Sequence, residues 1–282
     1  ANSPSNIATI TQDSDGNVIG ELVQVTLGAH ATTGNTLTVT EQLDGGNTIR
    51  FIRQTVADGA SSNEADVTLT GARNWIERIT QLATSSDGTN TIKLTITGAY
   101  NGINTGLDGV GDLLALALSA GATPGEITQG SASTGGAGNS VILDITGNSN
   151  QFGIAQLGVD NSIGTRNING NSNSFGVVQI GSHNQVSPGA IVGDSNDLGI
   201  RQDGDTNVAD LLMLGDSSDN DVGIGQQGDG NHAKVEIGGL PPSNLHGDGN
   251  VVGVSQKGTG HEAAVDIAGA DNTVLAVQFN VG

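Results

Sequence analysis

The sequence predicts an all-β fold, a β-solenoid of about ten two-stranded coils, each 22–30 residues long. Three observations predict it: a short motif recurs at a nearly constant period, apolar and polar residues alternate strictly, and glycine and asparagine mark the connections between alternating segments. A coil of this length cannot bury its own apolar face. Only a stack of coils can enclose a continuous core.

The first kind of predicted strand carries the pattern Asn-x-Φ-x-Φ-x-Gln, in which Φ is apolar and glutamine follows asparagine by six positions. Successive glutamines are 23, 23, 24, 30 and 22 residues apart, and the longest spacing holds a local insertion at 239–245. Alternation over seven residues indicates a half-buried strand, because a helix would need apolar spacings of three and four. The pairs are Asn150/Gln156, Asn173/Gln179, Asn196/Gln202, Asn220/Gln226, Asn250/Gln256 and Asn272/Gln278.

We expect these asparagines and glutamines to face inward and to stack in register as amide ladders. A side-chain amide has two donors and an acceptor, so each one can bond its copies above and below. The ladder satisfies buried groups that would cost about 1–3 kcal/mol each if left unpaired. The alternative is that asparagine merely ends turns, but glutamine has no such role and recurs just as regularly.

A second kind of strand begins with asparagine and has apolar residues two, four and six positions later. It is seen after Asn139, Asn207 and Asn231, and His261 replaces the asparagine in the last copy. The connection before it reads Gln-x-Gly-x-x-Asn, and its glycine is expected to supply the left-handed backbone of a tight turn. These turn glycines are Gly158, Gly181, Gly204, Gly228 and Gly258.

Another glycine recurs in the middle of the first kind of strand, where the alternation points it outward. It suggests either the close approach of another surface or a solvent-facing position under little constraint, and the sequence does not separate the two. The copies are Gly153, Gly176, Gly199, Gly223 and Gly253.

Residues 1–98 repeat the scheme in a looser form, in which glutamine follows asparagine by seven positions instead of six. The pairs are Asn17/Gln24, Asn47/Gln54 and Asn74/Gln81. One extra residue at a constant place predicts a β-bulge shared by these coils. Residues 99–138 are interpreted as a coil with a long loop, in which 126–129 fits the end of a strand. Residues 139–282 continue the same domain as regular coils. The competing interpretation makes 99–138 a linker between two solenoid blocks.

The pattern Asn-x5-Gln-x-Gly-x-x-Asn, followed by a second alternating strand, resembles the curlin repeat of the major subunit of bacterial curli fibres. The resemblance covers roughly residues 139–280 and is weaker over 5–100. Curlin repeats usually begin with serine where this chain has asparagine. The resemblance implies a curli-like solenoid, a functional amyloid that polymerises outside a bacterial cell.

The composition excludes several classes of function. The chain has 29 acidic and 9 basic residues, a formal charge of −20 and no cysteine. Disulfides and thiolate sites are therefore excluded, and the charge argues against binding nucleic acid. The longest strictly apolar run, 113–118, is too short to span a bilayer. The start of the chain, Ala1-Asn2-Ser3-Pro4, looks like a mature end left after removal of a signal peptide.

The expected function is a structural subunit of a secreted, self-assembling extracellular fibre for biofilm matrix or surface adhesion at the bacterial cell surface. Identical subunits are the expected partners, with a nucleator or secretion protein as a further candidate. No capping element is evident in the sequence, and an uncapped coil offers unpaired backbone groups to another copy. The alternative is a non-polymerising carbohydrate- or surface-binding module, such as an adhesin or phage fibre segment.

No enzymatic activity and no cofactor are expected, because the acidic residues are scattered over turns and the five histidines do not recur at one position of the repeat. Calcium is the candidate ion, since turn residues such as Asp203, Asp205 and Asp229 supply the oxygen ligands that it prefers. Aspartate is also common in turns that bind nothing.

Overall fold

The structure is a computed structural model that describes residues 7–12, 18–27, 35–41, 48–50, 52–57, 62–69, 71–77, 79–83, 89–102, 127–129, 138–187, 189–239 and 246–280. These residues form strands and turns, and none of them is helical. The predicted all-β class is confirmed. The interpretation of 99–138 as a looped coil or a linker falls largely on 103–126 and 130–137, which lie outside the described residues.

Sheet 1 is parallel and takes its strands in chain order along the column. Successive strands pair in register, as where Val235 lies beside Val265. Its strands are β1 (Ile7–Gln12), β4 (Thr36–Glu41), β7 (Ser62–Leu69), β10 (Thr89–Thr97), β12 (Ser140–Thr146), β14 (Ser162–Asn169), β16 (Gln185–Val186), β17 (Gly189–Val192), β19 (Val208–Met213), β21 (His232–Ile237) and β23 (Glu262–Ile267).

Sheet 2 is also parallel and ordered along the chain, and it holds the strands that end in the recurring glutamine. Each coil runs through sheet 1 and then sheet 2, so the structure confirms a β-solenoid of about ten coils. Its strands are β3 (Val23–Leu27), β6 (Arg53–Ala57), β9 (Ile79–Ala83), β11 (Ile127–Gln129), β13 (Gln151–Leu157), β15 (Ser174–Ile180), β18 (Asp197–Asp203), β20 (Asp221–Gln227), β22 (Val251–Lys257) and β24 (Thr273–Phe279).

The first three coils differ from the predicted two-stranded form, because each has a third strand. These strands, β2 (Val18–Ile19), β5 (Thr48–Arg50) and β8 (Trp75–Glu77), form a small sheet 3. Ile49 and Ile52 are both fully buried although they are three positions apart. Alternation in a straight strand would put them on opposite faces. The extra residue therefore lies where the chain turns a corner between sheets, at the predicted place but with a larger bend than a single bulge.

A single apolar core lies between the sheets and runs along the column from Leu37 to Ile267. Inward residues stack on their counterparts, and the fully buried Phe152 and Phe175 lie in register. Their neighbours Gly153 and Gly176 also pair in register. All five mid-strand glycines are buried, so they are not the solvent-facing positions that one of the two interpretations assumed.

Candidate functional site

The asparagines that precede the sheet 2 strands of the regular coils form, together with Asn74 and Asn101, a continuous hydrogen-bonded ladder. Each Nδ2 donates to the Oδ1 of the preceding coil over 2.9–3.1 Å. The backbone N–H of Asn173 donates to the same oxygen, Asn150 Oδ1, at 3.0 Å. Every member except Asn272 is buried, so the predicted asparagine ladder is present. Its members are Asn74, Asn101, Asn150, Asn173, Asn196, Asn220, Asn250 and Asn272.

The glutamines of sheet 2 form a second ladder parallel to the first. Gln156 is representative: its Nε2 donates to Gln179 Oε1 at 2.8 Å, and also to the backbone oxygens of Ser140 and Asn161. The amide therefore ties together both sheets and the next coil. From Gln129 to Gln278 the Nε2–Oε1 distances are 2.8–2.9 Å, through Gln129, Gln156, Gln179, Gln202, Gln226, Gln256 and Gln278.

The direction of donation reverses along the glutamine ladder. Gln54 donates to Gln24 and Gln81 donates to Gln54, whereas Gln129 donates the opposite way, to Gln156. Gln81 and Gln129 are register partners, and the Oε1 atom of each is buried without a hydrogen-bond partner among the described residues. An unpaired buried acceptor costs about 1–3 kcal/mol. The third and fourth coils are therefore the weakest junction of this ladder.

Sheet 1 carries a ladder of its own, which begins each strand of the second kind. Asn184 Nδ2 donates to Asn161 Oδ1 at 3.1 Å, and Asn207 and Asn231 continue the series at 3.0 Å. In the last coil the backbone N–H of His261 donates to Asn231 Oδ1 at 3.1 Å, but histidine replaces the amide. The column is thus held by three amide ladders.

The turn glycines lie in the connections from sheet 2 to sheet 1, where each turn stacks on the turn of the next coil. All five have φ between +102° and +129°, so they adopt the left-handed backbone that the sequence predicted. A Cβ on Gly204 would clash with the carbonyl oxygen of Gly228 in the following turn. That carbonyl accepts a hydrogen bond from Asn207 Nδ2 at 2.7 Å. These positions therefore need glycine both for φ and for the close stacking of turns.

Several turn carboxylates serve as hydrogen-bond acceptors between coils. Asp229 Oδ1 accepts the backbone N–H of Asp205 at 2.9 Å, and Asp205 Oδ1 accepts that of Ser182 at 2.7 Å. Asp194 Oδ1 accepts the N–H of Asn171 in the same way on the opposite turn. In the part of the chain that the structure describes, no three acidic or histidine side chains are grouped so that they could hold a metal ion.

Asp197 is an outward carboxylate whose surroundings favour its protonated form. Burial raises its pKa, a hydrogen bond with Ser174 lowers the pKa, and repulsion from Asp221 raises it again, with a net upward shift. Asp197 and Asp221 are register partners on β18 and β20, which places the like charges side by side.

Replacing Asp197 by asparagine is expected to stabilise the protein at neutral pH and to have less effect near pH 4. The folded state raises the pKa of this carboxyl, so it binds more protons than the unfolded state, and the wild type gains stability as the pH falls through that window. Urea unfolding of both proteins at several pH values measures this. The matched control is Asp266→Asn, at an exposed outward position of β23. If the free energies of unfolding of wild type and Asp197→Asn differ by the same amount at all pH values, the prediction is wrong.

The fold and its ladders define a class: a parallel β-solenoid whose successive coils are joined by stacked side-chain amides. Within the described residues no helix is long or apolar enough to cross a membrane. Residues 193–236, from the turn before β18 to the end of β21, match the family model of the curlin associated repeat. A comparison with curated proteins found no match. The matched segment contains Asn196, Gln202, Asn220 and Gln226, so this part of the chain is similar to a curlin repeat, and the similarity supports a curli-like structural role in general.

The structure also assigns ladder positions that the sequence pattern did not select. Asn101 bonds Asn74 and Asn150 although residues 103–126 separate it in sequence from β11. A Gly-x-x-Asn signal, present at 71–74, 98–101 and 147–150, could have identified it.

Proposed function

We propose that this protein is a structural subunit of a secreted, self-assembling extracellular fibre, in which copies stack end to end so that the solenoid continues from one to the next. The observation that carries the proposal is the contrast between the two ends of the described column and its interior. Interior coils pair on both sides through sheets and ladders, whereas the first and last coils pair on one side only. Strand edges with unpaired N–H and C=O groups are templates for another chain.

At the carboxyl-terminal end, β24 forms the last strand of sheet 2. Its inward residues Val274 and Ala276 are only half-buried, whereas Val252 and Val254, their register partners on β22, are buried. Among the described residues, no strand covers the core on this side.

At the amino-terminal end, β1 forms the first strand of sheet 1. Ile10 is the register partner of Val39 and faces the core, but 46% of it is exposed while Val39 is fully buried. Stacking the last coil of one copy on the first coil of another would cover both open cores and continue both sheets.

The charge distribution favours subunits that remain soluble before they join. Outward residues and turns carry most of the acidic groups, as at Asp205, Asp229 and Asp266, and the chain has a net charge of −20. Like charges on the sides of the column oppose lateral clumping of subunits. We further propose an extracellular location at a bacterial surface, a role in biofilm matrix or adhesion, no enzymatic activity, and a nucleator as an additional partner.

Electron microscopy of the purified protein tests the proposal, and the expected result is unbranched filaments. Ala276→Lys places a charge on the open core face and is expected to abolish them. Leu275→Lys makes the same change on the neighbouring residue, which is 72% exposed and faces away from the joint, and should leave filaments intact. A wild type that stays monomeric at high concentration, or equal effects of the two variants, would contradict end-to-end stacking.

The second candidate is a surface-binding module, and an exposed apolar row on the outward face of β24 favours it. Leu275, Val277 and Phe279 are 72%, 55% and 64% exposed. Patches of this kind often mark interaction sites. A monomer that binds glycans or surfaces and loses binding in Phe279→Lys would favour this candidate.

A further inference from the structure

The outward face of the last strand of sheet 2 carries three large apolar side chains. Leu275, Val277 and Phe279 on β24 are 72%, 55% and 64% exposed, and we call this row the ridge. The outward residues beside them on β22 are glycine, serine and lysine, so the ridge stands next to a lower surface. These register partners are Gly253, Ser255 and Lys257. Contiguous exposed apolar side chains often mark an interaction surface.

A hollow lies on the same face, two strands before the ridge. Gly225 and Gln227 of β20 form its floor, and side chains of β18 and β22 form its two banks. Among the described residues, the atom nearest to a Cβ on Gly225 would be the carbonyl oxygen of Val254 at 3.9 Å, so the space above this glycine is open. The bank residues are Arg201 and Asp203 on β18, and Ser255 and Lys257 on β22. The hollow can therefore receive a side chain of another molecule.

The ridge and the hollow lie at the same position along their strands. Gly225 pairs in register with Ser255, and Ser255 pairs with Val277. Two strand spacings, about 10 Å, separate β20 from β24. A two-fold axis that runs along β22, above its outward face, exchanges β20 and β24 between two copies. Such an axis places the ridge of each copy over the hollow of the other, which is the isologous geometry of symmetric dimers.

The charges of this face permit a second copy to approach. The chain has a net charge of −20, and Glu262 and Asp266 on β23 point outward from sheet 1 of the last coil. By contrast, β22 and β24 have no carboxylate at their outward positions. On the bank formed by β18, Arg201 Nη2 lies 3.2 Å from Asp203 Oδ2, so these two charges compensate each other. Two copies therefore meet here without the repulsion between carboxylates that their sheet 1 faces would create.

Lys257 and Phe279 complement each other across such a contact. When Val277 of one copy lies over Gly225 of the other, Phe279 lies over Gln227, because these residues occupy the next outward position of the same two strands. The ring is then beside Lys257, the register partner of Gln227 on β22. The face of an aromatic ring attracts an ammonium group, and Lys257 is exposed, so its amine can reach the ring.

We propose that two copies of this chain associate through these faces, with Val277 and Phe279 of each copy seated in the hollow of the other. The inference does not depend on end-to-end stacking, because the contact uses the side of the column. It leaves both ends of each column free, so paired copies can still elongate. A two-fold axis parallel to the strands reverses the direction of the column, so two filaments joined in this way run antiparallel.

Sedimentation of freshly purified protein, before filaments form, tests the proposal. The wild type should sediment with twice the 28.2 kDa mass of one chain. Val277→Glu would bury a charge in the hollow, and Gly225→Lys would fill the hollow, so each variant should weaken association at least about tenfold. An equimolar mixture of the two variants should restore the dimer. In the mixed dimer the new glutamate of one copy faces the new lysine of the other, and the second contact keeps its native residues.

Ala264→Glu is the matched control, because Ala264 is an exposed outward residue of the same coil but lies on sheet 1, and this variant should sediment like the wild type. A mixture that stays monomeric, or equal masses of wild type and Val277→Glu, would overturn the inference. A monomeric wild type that binds a polysaccharide and loses this binding in Phe279→Lys would also overturn it, since the ridge would then contact a surface ligand. Dimers that never elongate would instead refute end-to-end stacking alone, and single rather than paired wild-type filaments would refute the side contact alone.

Discussion

Replacing Asn196 by leucine is expected to lower the free energy of unfolding by about 3–5 kcal/mol, because several buried polar groups lose their partners at once. Asn196 Oδ1 accepts both the backbone N–H and the Nδ2 of Asn220, at 3.1 and 2.9 Å. Its own Nδ2 donates to Asn173 Oδ1 at 3.0 Å and to the carbonyl of Ser217 at 2.8 Å. Urea unfolding of the soluble protein measures the loss.

Two variants test whether the hydrogen bonds cause this loss. Asn167→Leu makes the same substitution at an exposed outward position of β14 and should change stability by less than about 0.5 kcal/mol. Asn196→Asp keeps the acceptor for Asn220 but buries a carboxylate next to the oxygen of Asn173. Burial raises the pKa of such a carboxyl in the folded state, so the variant should regain stability as the pH falls. A loss in Asn167→Leu equal to that in Asn196→Leu would refute the ladder explanation.

The sequence was sufficient to predict the regular part of the solenoid because one pattern encodes two requirements. Alternation of period two places the side chains inward, and the fixed distance from Asn150 to Gln156 places two amides in each coil. Parallel pairing in register then brings each amide beside its copy, as with Gln156 and Gln179. No long-range information is needed for this step, since each coil contacts only its neighbours.

Other features of the fold could not be predicted from the sequence because their strands are irregular. β14 has one more residue than β12 between the partners of Val141 and Leu143, and this shifts the register there. The next coil is divided into two short strands, β16 and β17. In both coils the extra residue breaks the period of two. The turn pattern Gln-x-Gly-x-x-Asn ends on Asn161 and Asn184, but the alternating strand pattern does not follow either of them, although both belong to the ladder of sheet 1.

The polarity of the glutamine ladder could not be predicted from the sequence for a different reason. A glutamine can donate toward either end of the column with the same backbone, so residue identity does not determine the direction. The reversal between Gln81 and Gln129 is a property of hydrogen-bond orientation alone. Likewise, the sequence marks His261 as an exception in the ladder of sheet 1, but only the structure shows that its ring bonds the backbone oxygen of Lys257.

Replacing Gln202 and Gln226 by leucine, singly and together, is expected to give strongly non-additive losses of stability. Gln202→Leu breaks the bonds from Gln179 and to Gln226, which leaves two partners without a ladder bond and costs about 2–3 kcal/mol. Gln226→Leu does the same to Gln202 and Gln256. The double variant again leaves only two such partners, Gln179 and Gln256.

The double variant should therefore lose about 3 kcal/mol rather than the sum of about 5 kcal/mol, and the difference is the coupling between neighbouring amides. Gln227→Leu is the matched control, because Gln227 lies next to Gln226 but is exposed and outward, and it should cost almost nothing. Strict additivity would show that each glutamine acts alone. Equal stability of all the variants would show that the amides contribute nothing to the column. A coupling of about 2 kcal/mol between side chains on different coils would instead establish that the amides hold successive coils together, which is also what a joint between two copies requires.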